Sequence, residues 1–488
     1  MSSDSQSRES STERDIISAR EAEIRALDRD FTSYTRDGNF CVYFKLVHDR
    51  SEAECDIREG TFFPDFVHQF FVDSERIFGY KNPILRMFYS ASRLKRYIRF
   101  DYEDKLTREK DGIEPDNVIS YLAPVLEDIE FTQDLNQFIN EVESADEQNF
   151  KPPGDLLLEF ESPYHMPSML SRAQLENMVE SGLPASYVKT IQWTGNSFKS
   201  TANGISSTEN TESANVKKFL ILHADASTKG FGSFQKRMQS LVMWFIESAN
   251  MIDHEDPRWD FFMIFEKYNP NTPSVSTEDR FYFAGYATVY RYYVYPDRTR
   301  PRVSQMLLLP PYRRNGLGTR LLQSIYEYYM KQPQTLDITA EDPDEDFISM
   351  RDFLDCRNCS KLESYQPENL KAGWSNALAK EAQEKLKLCH RQARKIYEIL
   401  KLKTIDMTNE DEYRDYRLEI KNRLNIPYQR FRLDCNRVLK RGFVLPDEKA
   451  IKIPDNPRVT AANLEVNYQA LEKQYQHVIK KLNQSTAK

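Results

Sequence analysis

Apolar positions along this chain fall into two spacings, and each predicts a different kind of element. Dense runs rich in Val, Ile, Tyr and Phe predict strands at residues 41–47, 84–89 and 97–102, followed by helices near 117–126 and 132–144. Further strands are predicted at 218–223, 261–266, 282–293, 303–309 and 335–340. Helical spacing marks Phe234, Met238, Leu241, Phe245 and Ala249. It returns at Leu321, Leu322, Ile325, Tyr326 and Tyr329, predicting a helix over 319–330, and again around 347–354. From residue 376 onward the pattern is helical throughout, at 377–386, 391–401, 410–424, 428–439 and 462–483. Strands and helices in mixed order, with a long meander before the 319–330 helix, predict an α/β (α+β) fold on one mixed central sheet.

Shifts in composition suggest boundaries. Residues 1–36 are rich in Ser, Arg and Glu and read as a disordered or frayed tail. Residues 37–155 read as an N-terminal α+β domain, and 156–375 as the domain built on the mixed sheet. Residues 196–215, rich in Ser, Thr, Asn and Gly, read as a flexible insertion within it. A helical bundle is expected at 376–455 and a last helix at 456–488; the bundle either serves a partner or packs only on itself.

The 488 residues suffice for two or three domains with a large core. A net charge of −8 argues against nucleic acid as the main ligand and is compatible with a basic partner. No run of 18 apolar residues exists, so no membrane span is expected. The polar opening lacks a signal-peptide core, which leads to the expectation of an intracellular protein. Six scattered cysteines fit reduced thiols. Cys356-Arg-Asn-Cys359, with Cys389-His390 following, lacks a second tight ligand pair, so no metal is expected.

The most informative stretch starts at Val303. A strand ends at Pro310-Pro311, Arg313-x-x-Gly316-x-Gly318 follows, and a helix begins at once. Such a junction presents unpaired N–H groups at the positive end of a helix. Glycines let the backbone approach a ligand and arginines add charge-assisted bonds, which suits a pyrophosphate. A plain loop with a glycine at the helix start is the alternative reading. The next predicted strand then runs into Glu341-Asp342-Pro343.

A carboxylate pair after a pyrophosphate loop resembles the acetyl-coenzyme A site of the GNAT acetyltransferases. The likeness narrows further. Phe245-Ile-Glu-Ser, Phe265-Glu-Lys-Tyr-Asn269, Tyr292-Tyr-Val-Tyr-Pro-Asp297, Arg300-Pro-Arg-Val-Ser-Gln-Met306 and Leu336-Asp-Ile-Thr-Ala-Glu-Asp-Pro343 resemble the catalytic subunits of type B histone acetyltransferases. Thr61-Phe-Phe-Pro and Phe78-Gly-Tyr fit the same family. The resemblance implies a GNAT fold with an N-terminal α+β domain and a C-terminal helical extension. It also implies acetyl transfer from acetyl-coenzyme A, without a metal, to lysines in the N-terminal tail of free, newly made histone H4 before chromatin assembly. Expected partners are that tail, with its histone partner, and a WD-repeat histone chaperone, in nucleus and cytoplasm. A non-catalytic histone-binding subunit and an acetyltransferase for other protein lysines are the alternatives.

The resemblance also assigns residues. Backbone N–H groups near Met306, Leu307 and Leu308, with the loop residues Arg313, Arg314, Asn315, Gly316, Leu317, Gly318 and Thr319, are expected to bind the cofactor. Arg314 stands where relatives often have glycine, and Asp346 where they often have a small polar contact; a carboxylate there would repel the phosphates. Glu341 is the expected general base, with Asp342 and Glu247 as the other candidates, and Glu247 is expected on a helix after Phe245. Glu247, Asp253, Glu255, Asp256, Glu341, Asp342, Asp344 and Glu345 fall beside motif segments and predict an acidic rim suited to a lysine-rich tail. Asp73, Glu75, Tyr290, Arg291 and Tyr292 are expected along the histone groove. Trp259 is either a substrate contact or a core aromatic.

Overall fold

The computed structural model describes residues 31–55, 60–71, 75–126, 130–165, 215–269, 278–441 and 457–486. Most of the predicted N-terminal tail, residues 1–30, lies outside them, as does the insertion at 196–215 up to residue 214. The chain forms two compact units, Met1–Tyr290 with Gln305–Leu321, and Arg291–Ser304 with Leu322–Lys488.

The first unit opens with short strands. β1 (Thr35–Asp37) pairs with β4 (Arg76–Phe78), and β5 (Tyr80–Lys81) with β8 (Asp104–Lys105). A four-stranded sheet has the order β3 (Thr61–Phe62), β2 (Val42–Val47), β6 (Ile84–Ser90), β7 (Arg96–Asp101). β2 and β6 run parallel, and every residue of β2 is buried, Lys45 included, so the strand reads as an apolar run broken only by that lysine. Helix α1 (Leu135–Val142) packs Phe138, Ile139 and Val142 with Phe88 and Tyr97.

The larger sheet of this unit is an antiparallel meander of β9 (Asp155–Tyr164), β10 (Asn215–Asp225), β11 (Trp259–Tyr268) and β12 (Arg280–Val294), with β13 (Arg298–Leu308) next to β12. The strands predicted at 218–223, 261–266 and 282–293 lie inside these longer ones. A register shift after Ile264 places a bulge near Gly285. There β12 and β13 approach so closely that a Cβ on Gly285 would collide with the Leu307 carbonyl oxygen.

The helix predicted from Phe234 through Ala249 is broken. α2 (Phe231–Gln239) is followed by a single turn, α3 (Val242–Phe245), and Ile246 is already extended at φ −130°, ψ 122°. The break has tertiary causes. The Gln69 amide donates to the carbonyls of Met243 (2.6 Å) and Ile246 (3.1 Å), and the N–H groups of Asp65 and Phe66 donate to the Trp244 carbonyl. Those bonds satisfy carbonyls that a longer helix would have used.

In the second unit, β14 (Thr339–Ala340) runs parallel to the start of β13, Arg302 opposite Thr339 and Val303 opposite Ala340. The strand predicted at 335–340 is therefore short: Thr335 instead bridges Thr299, and Ile338 bridges Leu388. α4 (Leu317–Met330) passes from the first unit into the second at Leu322, with Leu322, Ile325, Tyr326 and Tyr329 buried. α5 (Glu345–Cys359), α6 (Asn376–Leu386), α7 (His390–Thr404), α8 (Glu410–Lys440) and α9 (Pro457–Thr486) complete it. The helices predicted at 410–424 and 428–439 are one helix running through Pro427. An interior proline costs about 3 kcal/mol. Tyr416, Ile420 and Cys435, buried on either side of it, hold the two halves in place. The fold is thus mixed α/β with a helical C-terminal region.

The bundle core contains a charge. Glu398 is 0% exposed and accepts from Arg394 (2.9 Å), Arg423 (2.9 Å) and the Tyr475 hydroxyl (2.8 Å), on α7, α8 and α9. Breaking such a pair from one side leaves a buried charge uncompensated, so it is costly to disturb.

Candidate active site

The first unit carries the loop from Arg313 to Thr319. Burial alternates along β13: Val303, Gln305 and Leu307 are buried, while Ser304, Met306 and Leu308 are partly exposed. Gln305 is fixed within the unit, its N–H donating to Thr288 Oγ1 (3.1 Å) and its amide to the Asn250 carbonyl (2.7 Å). After Leu309, a short 3-10 turn at Pro310–Tyr312 buries Tyr312, whose hydroxyl donates to Glu266 (3.1 Å). Burial and that carboxylate push the Tyr312 phenol well above its ordinary value.

Arg313 is committed to the protein. Its Nε donates to the Leu308 carbonyl (2.8 Å), and its two terminal nitrogens bind both oxygens of Asp65 (3.1 and 2.7 Å). Asn315 is also occupied: its amide donates to the His165 and Arg313 carbonyls, and its oxygen accepts from the His165 N–H. Arg314 (φ 62°) and Gly316 (φ 76°) are left-handed, and Gly316 has open space where a Cβ would stand. α4 begins at Leu317, two residues earlier than predicted. The bond from the Arg320 N–H to the Gly316 carbonyl (3.2 Å) starts its ladder, so the N–H groups of Leu317, Gly318 and Thr319 precede it. The Leu317 side chain is fully buried, leaving its backbone as what it can offer a ligand; Thr319 is half-buried.

Three carboxylates of the predicted rim are exposed in this unit: Glu247, Asp253 and Glu255. Glu247 lies in a turn after α3 and not on a helix, because the chain leaves the helix at Ile246. Asp256 is neutralised by Arg258 through two bonds of 2.9 and 2.8 Å. Trp259 is half-buried and meets Tyr290 edge to face at 4.8 Å, and the Arg258 guanidinium lies 5.0 Å from the same ring. Glu75 accepts from the Asn39 amide (2.9 Å), while its carbonyl accepts from the Gly38 N–H (2.7 Å). Asp73 lies outside the described residues.

The second unit holds the acid. The Glu341 N–H donates to the Val303 carbonyl (2.9 Å), which extends the β13–β14 ladder by one residue. Its side chain, 43% exposed, accepts from the Ser304 hydroxyl (2.8 Å) and has the Arg302 guanidinium 3.9 Å from its other oxygen. Arg302 in turn lies 4.5 Å from the Tyr292 ring, and Tyr292 is 38% exposed. Asp342 is exposed in a left-handed backbone (φ 31°). Arg291 is half-buried on β12. Asp344 caps α5 through the Phe347 N–H (2.6 Å), with Asp346 exposed in its first turn. Arg300 and Asp337 pair at 2.5 and 3.0 Å and tie the start of β13 to the segment leading into β14. Cys356 and Cys359 are buried in α5, and burial pushes both thiols well above their ordinary value.

Two contributors escaped the sequence reading. Asp65 follows the Phe-Phe-Pro motif but gives no local sign of reaching Arg313. Ser304 stands inside the Arg300–Met306 motif, where a small polar residue within the predicted strand was the available signal.

The GNAT acetyltransferase family model matches residues 238–347. The model for the N-terminus of histone acetyl transferase HAT1 matches residues 34–247, and that for the C-terminal part of the histone acetyltransferase type B catalytic subunit matches 351–402. The chain is 35% identical to the mouse histone acetyltransferase type B catalytic subunit over 94% of its own length and 97% of the mouse protein. The human protein of the same description is 35% identical over 94% of this chain and 96% of its own. One from Cryptococcus neoformans is 27% identical over 75% of this chain and 81% of its own. The chain belongs to the family of type B histone acetyltransferase catalytic subunits, and it is a histone acetyltransferase.

Proposed function

We propose that the protein acetylates lysines in the N-terminal tail of free, newly made histone H4, using acetyl-coenzyme A, before chromatin assembly. The observation that carries the chemistry is Glu341, held at the end of β14 by the Ser304 hydroxyl and facing Arg302.

A lysine amine at neutral pH is protonated, and removing that proton costs about 4 kcal/mol given its usual pKa near 10.4. Glu341 accepts it as general base. Acetyl-coenzyme A supplies the acetyl group as an activated thioester. Gly316 suits its pyrophosphate, because the backbone is left-handed and open at the position a Cβ would fill. The N–H groups of Leu317, Gly318 and Thr319 suit the phosphates, and β13 at Met306–Leu308 suits the pantetheine arm. Arg313 acts indirectly: bound to Asp65 and the Leu308 carbonyl, it fixes the loop, and its charge is already balanced.

The exposed Glu247, Asp253 and Glu255 favour a basic tail, with Trp259 and Tyr290 offering an aromatic surface beside them. A WD-repeat histone chaperone as partner, and action in both nucleus and cytoplasm, belong to the same reading. Radiolabelled acetyl-coenzyme A offered with free histones and with nucleosomes tests it. Transfer is expected to the H4 tail of free histones and to be far weaker on nucleosomes; equal labelling of both would overturn the proposed timing. Charge reversal of Asp253 and Glu255 should flatten the salt dependence of KM for the tail peptide, since exposed charges are screened over about 10 Å at 0.1 M salt.

A further inference from the structure

We propose that Ser304 and Arg302 are positioning residues that hold the Glu341 carboxylate in place and select which of its oxygens takes the proton. The inference rests on the assignment of Glu341 as the base.

The register produces the arrangement. β13 and β14 run parallel with Val303 opposite Ala340, so the next residues along, Ser304 and Glu341, come side by side. The ladder bond from the Glu341 N–H to the Val303 carbonyl fixes the backbone from which that carboxylate hangs. The Ser304 hydroxyl donates to Oε2 at 2.8 Å. One carboxylate oxygen is thereby tied down, and Oε1 is left as the acceptor. On the Oε1 side stands Arg302, whose Nη1 at 3.9 Å is too far for a hydrogen bond but close enough to act as a charge.

Arg302 is itself held in an unusual way. It sits over the Tyr292 ring at 4.5 Å, and its Nε is buried without a hydrogen-bond partner among the described residues. Cation–ring attraction and this ion pair hold the guanidinium where a tighter salt bridge would have taken over Oε1. The result is a carboxylate with one oxygen bonded, one oxygen open and a cation set back from it. The geometry also restrains the side chain's rotation, which a half-exposed glutamate would otherwise retain.

The test separates kcat from KM for a histone-tail peptide. Ser304→Ala should lower kcat about tenfold, since the carboxylate is then free to swing out of line with the amine. KM for acetyl-coenzyme A should change less than twofold, and Ser304→Thr, which keeps the hydroxyl, should restore the wild-type kcat. Arg302→Gln should lower kcat in the same way. A kcat that stays within about twofold of wild type in Ser304→Ala overturns the inference. If Ser304→Ala does not fold, the near-isosteric Ser304→Cys, a weak donor, is read in its place. Glu341→Gln is assayed alongside. If it remains active, the base assignment itself fails; if it is inactive while Ser304→Ala keeps the wild-type kcat, only the positioning role fails.

Discussion

The Arg313 guanidinium and the Asp65 carboxylate, 248 residues apart in sequence, meet through two bonds of 3.1 and 2.7 Å. The same arginine closes on the Leu308 carbonyl at the end of β13, and the backbone N–H of Asp65 caps α3 at the Trp244 carbonyl. One side-chain pair therefore joins the loop before α4 to the Thr61–Phe62 strand region and to the helix end that shapes the exposed acidic turn.

Asp65→Ala should lower stability by about 1–3 kcal/mol, because both partners are mostly buried and the guanidinium is left short of an acceptor. Combined with Arg313→Met, the two changes should couple by about 1 kcal/mol or more in a double-mutant cycle followed by urea unfolding. Additive losses would mean that the pair contributes nothing of its own.

Glu341→Gln should lower kcat by about 10²–10⁴, the range for losing a general base, with affinity for acetyl-coenzyme A kept. Turnover at pH 7.5 within a few-fold of wild type would pass the role to Asp342 or Glu247.

Gly316→Val should weaken acetyl-coenzyme A binding at least about tenfold while the protein still folds. A β-branched side chain resists the left-handed backbone and occupies the open space beside the helix start. Calorimetric titration measures it, and an unchanged Kd would move the phosphates elsewhere.

Asp355 gives the helical unit a pH signature. Burial pushes its carboxyl up to about 6, against the opposing charge of Arg351 (3.5 Å) and a bond from Gln392 (2.8 Å). Between roughly pH 4 and 6 the native state then holds a proton that the unfolded chain has released, so this group's contribution falls as pH rises through that window. The difference amounts to at most about 3 kcal/mol. Melting temperatures of the wild type and Asp355→Asn should differ in slope between pH 4 and 6 and run parallel above pH 7. Parallel curves throughout would place the Asp355 carboxyl near its ordinary value.

Much of this was legible because it is local. The stripe Leu321, Leu322, Ile325, Tyr326 and Tyr329 is buried as its spacing requires, and the strands of the meander lie where β-branched and aromatic runs predicted them. What failed was decided by partners distant in sequence. The apolar period through Ala249 continues, but Gln69 and the Asp65 and Phe66 amides take the carbonyls and end the helix at Phe245. Pro427 signals a stop, yet packing on both sides carries α8 through it. The run at 335–340 is extended, but two of its residues bridge different partners, Thr299 and Leu388, so only its end forms a strand. At the loop, Arg313 was legible in the sequence, while its partner Asp65, 248 residues away, has no local signature.

Glu398 sets a limit on how this protein can be shortened. Its carboxylate draws donors from three helices, and the last of them, Tyr475, stands 13 residues from the C-terminus. A version ending after α8 would lose that hydroxyl, and with it Tyr468 and Val478 from the apolar cluster around Tyr416 and Ile420. Trimming for expression or crystallisation therefore has to spare α9.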